Sequence, residues 1–70
     1  MPKSLYQRRI AEIVGPNYDP RHIEAFMRVQ YGTLDHLPAD IFKADALFCT
    51  VCLDEIGKEE GEKVARSYGL

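Results

Sequence analysis

Apolar residues recur at helical spacing in four stretches of the chain, and glycine or proline separates these stretches. The first begins after Ser4, a favourable helix N-cap residue, and ends at Gly15. The second has the clearest start signal, because Asp19 is a favourable N-cap and Pro20 suits the first helical position. Gly32 suits its C-terminus. No stretch alternates with the period of two that is typical of a strand, so the pattern predicts an all-α fold.

The third stretch, Pro38–Ile56, contains the most apolar run of the chain, ALFCTVCL at Ala46–Leu53. The residue types of this run also suit a strand, but the flanking positions fit a period of 3.6 better than a period of 2. A helix with little polar surface is a buried helix. We therefore expect this helix to be central in the fold or to lie in a dimer interface.

The fourth stretch runs from about Lys58 to Tyr68 and predicts a short outer helix. Only three of its residues are candidates for burial, namely Val64, Ala65 and Tyr68. Gly61 weakens such a helix by roughly 1 kcal/mol relative to alanine. The four stretches together predict a single domain over residues 1–70, a compact bundle of three to four helices. The third helix is expected to pack on Ile23, Phe26 and Met27 of the second.

A chain of 70 residues has room for one small core and little else. We therefore expect a protein that is not an enzyme, since a deep substrate cavity is hard to enclose. A homo-oligomer, most simply a two-fold dimer, is expected because one subunit can hardly cover ALFCTVCL on every side. No apolar run approaches the ~20 residues of a membrane span, and the N-terminus lacks a secretory signal. The expected location is the cytoplasm.

Charge is distributed unevenly along the chain. Five basic and three acidic residues lie between Met1 and Arg28, whereas eight acidic and two basic residues lie between Asp35 and Glu62. The two halves are expected either to pack with complementary rims, to support self-association, or to form a local anion site from the N-terminal arginines. The net charge of −2 argues against nucleic-acid binding, which favours a basic face. The acidic start of the third helix also argues against a helix-turn-helix protein.

Cys49 and Cys52 form a C-x-x-C motif inside the apolar run. A redox pair of the thioredoxin type needs a helix N-terminus after a strand, which this position lacks. The sequence favours two core residues, with a zinc site or a redox role as alternatives. His22 and His36 have no pairing that completes a zinc site, and they are expected to be a solvated or capping group and a loop residue. No cofactor, no metal and no catalytic residue is predicted.

Tyrosine and arginine side chains form the best candidate for a binding surface, because both residue types dominate binding hot spots. Arginine also recognises anionic nucleotides and acidic protein surfaces. The predicted ligand-binding residues are Arg8, Arg9, Arg21, Arg28 and Tyr31. The predicted interface residues are Phe42, Phe48, Cys49, Val51 and Cys52. The alternative is that the tyrosines fill helix junctions and the arginines face solvent.

The segments YDPRHIEAFMRVQYGTLDHL (Tyr18–Leu37) and ARSYGL (Ala65–Leu70) resemble short proteins encoded by phages and prophages. The resembling part, Tyr18–Leu70, covers about three quarters of the chain. The resemblance implies a non-enzymatic accessory protein that binds a host protein or sequesters a nucleotide signal. The expected function is therefore a self-associating binding protein that neutralises a bacterial defence component. The alternatives are a structural or regulatory protein–protein adaptor and, less favoured, a small nucleic-acid-binding regulator.

Overall fold

The computed structural model describes residues 5–35 and 37–70, which form three α-helices and no strand. Helix α1 spans Leu5–Val14, α2 spans Pro20–Tyr31 and α3 spans Ala39–Ser67. The predicted all-α class is confirmed. The predicted N-cap Ser4 and the loop residue His36 lie outside the described residues.

Helix α2 begins and ends where the sequence predicts. The side chain of Asp19 accepts a hydrogen bond from the backbone N–H of Arg21 over 2.9 Å, and Pro20 follows Asp19 as the first helical residue. At the other end Gly32 adopts a φ of 79° and donates its N–H to the carbonyl of Arg28 over 2.7 Å. Glycine takes a positive φ without the steric cost of a Cβ atom, so it closes this helix readily.

Helix α3 consists of two helical arms that meet at a sharp kink at Gly57, where the backbone is not helical, with a φ of 84° and a ψ of 165°. The bend divides α3 into a long arm, residues 39–56, and a short arm, residues 58–67. The short arm is the predicted fourth helix. Pro38 has extended backbone dihedrals and precedes the helix as its N-cap. Only glycine adopts the backbone conformation of Gly57 freely, which fixes the position of the bend.

The core lies where α1 and the long arm of α3 pack against α2. Ile23 and Met27 of α2 are buried against this arm, as predicted, whereas Phe26 is half-buried at the edge of the core. Ala65 is buried in the short arm, but Tyr68 is exposed, so its predicted burial is wrong. The buried apolar cluster consists of Ile10, Ile23, Met27, Leu34, Phe42, Ala46, Cys49 and Leu53.

Candidate functional site

His22 lies in the first turn of α2 and is only 6% exposed. Its Nε2 atom is 2.7 Å from Oε2 of Glu62, a residue of the short arm of α3. The prediction that His22 is a solvated or capping group is therefore wrong. The chain reversal at Gly57 brings the short arm back onto the N-terminus of α2 and covers the imidazole.

Arg21 completes an ionic cluster around this histidine. Its Nη2 atom lies 3.0 Å from Oδ2 of Asp19 and 2.8 Å from Oε2 of Glu62. Arg66 lies on the outer side, with Nε 3.3 Å from Oε1 of Glu62. We call Asp19, Arg21, His22 and Glu62 the His22 cluster. It joins the loop before α2, the first turn of α2 and the short arm of α3.

The pKa values of the two carboxyl groups in the His22 cluster are lowered. The hydrogen bond from His22 is the largest cause of the lowered pKa of Glu62, and Arg21 and Arg66 add to it against a smaller effect of burial. For Asp19, partial burial opposes ionisation, but hydrogen bonds from the side chain and backbone of Arg21 outweigh it and lower the pKa. Both groups are carboxylates at neutral pH, so Nε2 of His22 donates the hydrogen bond to Glu62.

Asp19, His22 and Glu62 are also the residues that could hold a divalent cation, because their donor atoms lie within 4.8 Å of one another. Arg21 contacts both carboxylates, and Arg66 contacts Glu62. These two guanidinium groups already balance the charge of the two carboxylates. The observed contacts therefore favour a structural ion network over a metal site.

Gly61 explains how the short arm approaches α2 so closely. It is buried, and a Cβ atom at this position would lie 2.5 Å from Cδ1 of Leu53 and 3.2 Å from Nδ1 of His22. These distances are shorter than ordinary van der Waals contacts. The glycine that weakens the helix in the sequence therefore makes room for the imidazole.

A cleft of about 730 Å³ lies beside the His22 cluster, between the loop before α2 and the bend of α3. On one side of it the Tyr18 hydroxyl donates a hydrogen bond to Oδ2 of Asp54 over 2.7 Å. Among the described residues, its lining contains no serine, threonine or cysteine that could act as a nucleophile. The lining residues are Pro16, Asn17, Tyr18, Asp19, His22, Leu53, Asp54, Gly57 and Lys58.

Three of the predicted ligand-binding residues make contacts within the fold. Arg21 belongs to the His22 cluster. Arg28 has its Nε atom 3.5 Å from Oε2 of the buried Glu24, and its guanidinium lies 5.8 Å from the ring centre of Tyr6. The hydroxyl of Tyr31 donates a hydrogen bond to Asp45 on α3 and so links two helices. These contacts are those of residues at helix junctions, which is the alternative that the sequence left open.

The other two predicted ligand-binding residues, Arg8 and Arg9, are exposed on α1. Within residues 5–35 and 37–70, neither has an acidic side chain at salt-bridge distance. Arg9 also lines a small groove of about 250 Å³ with Lys43 at the start of α3. Arg8 and Arg9 are thus the members of the predicted set that remain available to an anionic ligand.

The predicted interface residues divide between the two sides of α3. Phe42 and Cys49 are buried in the core of their own chain, and Cys52 is half-buried. Burial is the main cause that raises the pKa of the Cys49 thiol to about 11, and Cys52 and Asp45 add to it. Phe48 and Val51 point to solvent and are 56% and 54% exposed. The geometry therefore leaves Phe48 and Val51 free for an interface.

The apolar run ALFCTVCL is accordingly buried on one side only. Ala46, Cys49 and Leu53 face the core, whereas Leu47, Phe48 and Val51 face solvent. Ile41 and Ala44, which precede the run in α3, are exposed as well. We call the whole exposed apolar set the outer face of α3. It consists of Ile41, Ala44, Leu47, Phe48 and Val51.

The chain matches no model of a known protein family, no curated protein and no solved structure. Among the described residues, no helix combines the length and the apolar character that crossing a lipid bilayer requires.

The His22 cluster has no signal in the sequence, because 40 residues separate His22 from Glu62. The sequence also gave no indication that Glu24 and Gln7 would be buried. Gly61 is the one local clue, since a glycine inside a helix often marks a close approach of another group. The sequence predicted the apolar run of α3, but it did not predict which side chains of the run would form the outer face.

Proposed function

We propose that this protein is a non-enzymatic binding protein that works as a homo-oligomer, with a dimer as the simplest form. The observation that carries the proposal is the outer face of α3. This face presents four large apolar side chains, each about half exposed, on consecutive turns of one helix, namely Ile41, Leu47, Phe48 and Val51.

A contiguous apolar surface on a small protein favours association. Burial of apolar area contributes about 25 cal/mol per Å², and large exposed patches commonly mark protein interaction sites. Polar residues dominate the exposed surface of the short arm, with Lys58, Glu59, Glu60 and Lys63 in solvent. The long arm therefore carries the surface best suited to a protein partner.

A pair of matched valine variants tests the proposal. Val51 on the outer face is 54% exposed, and Val29 on α2 is 60% exposed. Val51→Glu would place a charge in the apolar contact, whereas Val29→Glu makes the same change outside it. We expect light scattering after size-exclusion chromatography to give a dimer for the wild type and for Val29→Glu, and a monomer for Val51→Glu. A wild-type protein that is monomeric at about 200 µM would overturn the proposal.

The oligomer acts, in this proposal, as a phage-type accessory protein that neutralises a bacterial defence component or sequesters its nucleotide signal. Support comes from Arg8 and Arg9, two exposed guanidinium groups whose forks suit phosphate or carboxylate oxygens. The sequence resemblance to phage and prophage proteins points in the same direction.

Native mass spectrometry of the protein purified from bacteria tests the proposal that the oligomer binds a nucleotide. We expect an oligomer that carries additional mass in the nucleotide range, and we expect the variant with both Arg8→Glu and Arg9→Glu to lose it. Lys63→Glu is the control, because Lys63 is also exposed but lies on the short arm. Retention of the adduct in the double arginine variant would contradict the site assignment.

A protein–protein adaptor is the second candidate function, and the same outer face of α3 favours it. In that case the face pairs with a host or phage protein, and no small molecule is bound. A clean oligomer without an adduct, together with a protein captured by the wild type and by Val29→Glu but not by Val51→Glu, would support the adaptor.

A further inference from the structure

Four of the five apolar positions on the outer face of α3 are arranged symmetrically along the helix, and Leu47 is the exception. Ile41, Ala44, Phe48 and Val51 follow one another at intervals of three, four and three residues. The arrangement is therefore unchanged when the helix direction is reversed about Ala46. An antiparallel two-fold pairing of apolar residues requires this property, because the residue that lies k positions after the centre then faces the residue that lies k positions before the centre in the partner.

We propose that two copies of the chain pair the long arms of α3 in antiparallel orientation, centred on Ala46. Ile41 then lies opposite Val51 of the partner subunit, and Ala44 lies opposite Phe48 of the partner subunit. This inference rests on the proposed self-association and adds its direction and register.

Side-chain size favours the antiparallel pairing. It places the large ring of Phe48 against the small Ala44 twice, once on each side of the two-fold axis. A parallel pairing in register would place the two Phe48 rings together and leave two alanines facing each other across a gap. Well-packed helix pairs alternate large and small residues at facing positions, so the antiparallel arrangement fills space better.

Electrostatics at the ends of the long arm favour the same orientation. Pro38, the N-cap of α3, makes no side-chain hydrogen bond to the first backbone N–H groups. At 1.5 Å per residue, Glu55 lies about 13 Å from Ala46 and Ala39 lies about 10 Å from it in the opposite direction. The antiparallel pairing therefore brings Asp54 and Glu55 of one copy beside the N-terminus of α3 in the other. Carboxylates stabilise a helix at that end, although Asp40 already lies in this first turn. A parallel pairing would instead place Asp54 and Glu55 of one copy beside the same two acids of the other, which is the larger repulsion.

Disulfide trapping with one introduced cysteine per chain distinguishes the antiparallel pairing from the parallel pairing. The background variant is Cys52→Ser, which removes the half-buried thiol, while the buried Cys49 is retained. Into it we introduce either Ile41→Cys or Val51→Cys. In the antiparallel pairing, two copies of the same variant hold their new thiols about 15 Å apart, too far for a disulfide, which needs Cα atoms within about 7 Å. In an equal mixture of the two variants, a mixed dimer holds the new thiol of the Ile41→Cys chain opposite the new thiol of the Val51→Cys chain, at the same height along the helix axis.

We expect mild oxidation of each variant alone to leave monomers on non-reducing gels, and oxidation of the mixture to link about half of the chains as mixed dimers. The mixture of the Ile41→Cys variant with a Thr50→Cys variant is the matched control and is expected to remain unlinked. Circular dichroism checks that each variant is folded.

The outcomes of these experiments test the antiparallel orientation and the self-association separately. Disulfide dimers of each single variant with itself would overturn the antiparallel register and leave the proposed dimer in place. A protein that is dimeric in light scattering but gives no linked product in the mixture would overturn the register as well. A wild-type monomer in light scattering would overturn both proposals.

Discussion

His22 and Glu62, which are 40 residues apart in the sequence, meet through a contact of 2.7 Å between Nε2 and Oε2. The contact joins the N-terminus of α2 to the short arm of α3. The imidazole is buried, and Arg21 and Arg66 also contact the carboxylate. The pair therefore acts with Arg21 to hold the C-terminal segment against α2.

The ionised carboxylate of Glu62 should make the stability of the wild-type protein depend on pH. The folded-state pKa values of Glu62 and Asp19 are lowered, so their contribution is present above the ordinary carboxyl pKa of about 4 and is lost as the pH falls through the folded values. We expect Glu62→Gln to lower the Tm at pH 7, and we expect the difference from wild type to shrink towards acid pH. Thermal unfolding followed by circular dichroism between about pH 3 and 7 measures this.

Glu60→Gln is the control for that experiment, because Glu60 lies two residues away and its exposed side chain pairs with Lys63 at the surface. It should leave the Tm close to that of wild type throughout. A deficit of Glu62→Gln that stays constant down to pH 3 would contradict the role of the carboxylate.

Gly61→Ala should destabilise the protein although alanine is the better helix former. The new methyl would overlap Leu53 and press on the ring of His22. Overpacking costs 1–3 kcal/mol and exceeds the gain in helix propensity of about 1 kcal/mol. We expect a net loss of about 1 kcal/mol in urea unfolding.

A double-mutant cycle with Leu53→Ala checks the cause of that loss. Removing the Leu53 side chain takes away the nearest atom to the new methyl, so Gly61→Ala should cost less, or even stabilise, in that background. Additive effects of the two substitutions would show that the cost has another origin.

Gly57→Ala should weaken the bend between the two arms of α3. At a φ of 84° and a ψ of 165° a residue with a Cβ atom is strained by about 1–3 kcal/mol, although the space around Gly57 is open. We expect a loss of that size in urea unfolding. Lys58→Ala, at the exposed neighbouring position, should have an effect within about 0.5 kcal/mol. Equal stability of Gly57→Ala and wild type would show that the bend tolerates an L-residue.

The two cysteines should differ in reactivity. Burial raises the pKa of the Cys49 thiol to about 11, whereas Cys52 is half-buried and partly accessible. Since the thiolate is the reacting species, we expect iodoacetamide at pH 8 to modify Cys52 first and Cys49 only after denaturation. Peptide mass spectrometry locates the label. Early labelling of Cys49 in the folded protein would contradict its place in the core.

The bounds of α2 could be predicted because the signals are local. The N-cap Asp19, the following Pro20 and the C-terminal Gly32 act within one helical turn of themselves, and the structure has the helix between them. The break at Gly57 was predicted for the same reason. The contact of the short arm with the N-terminus of α2 was not predicted, because it depends on tertiary packing between residues far apart in the sequence.

The candidate site could be predicted only in part. The sequence pointed to arginine and tyrosine as binding groups, and the structure places Arg21, Arg28 and Tyr31 in contacts within the fold. Nothing in the local sequence distinguishes these arginines from the exposed Arg8 and Arg9. The difference arises from which acidic side chain the tertiary fold brings nearby.

The sequence by itself determined the helical class, the breaks at glycine and the excess of apolar residues in α3, because backbone preference and hydrophobic period act over a few neighbouring residues. Only the tertiary structure decided which side of α3 faces the core. A run that is apolar all round has no preferred direction, so packing against Ile23 and Met27 made Cys49 internal and left Phe48 and Val51 in solvent. The burial of His22 was also decided by tertiary packing, because the short arm of α3 packs over it and carries Glu62, which lies 40 residues later in the sequence.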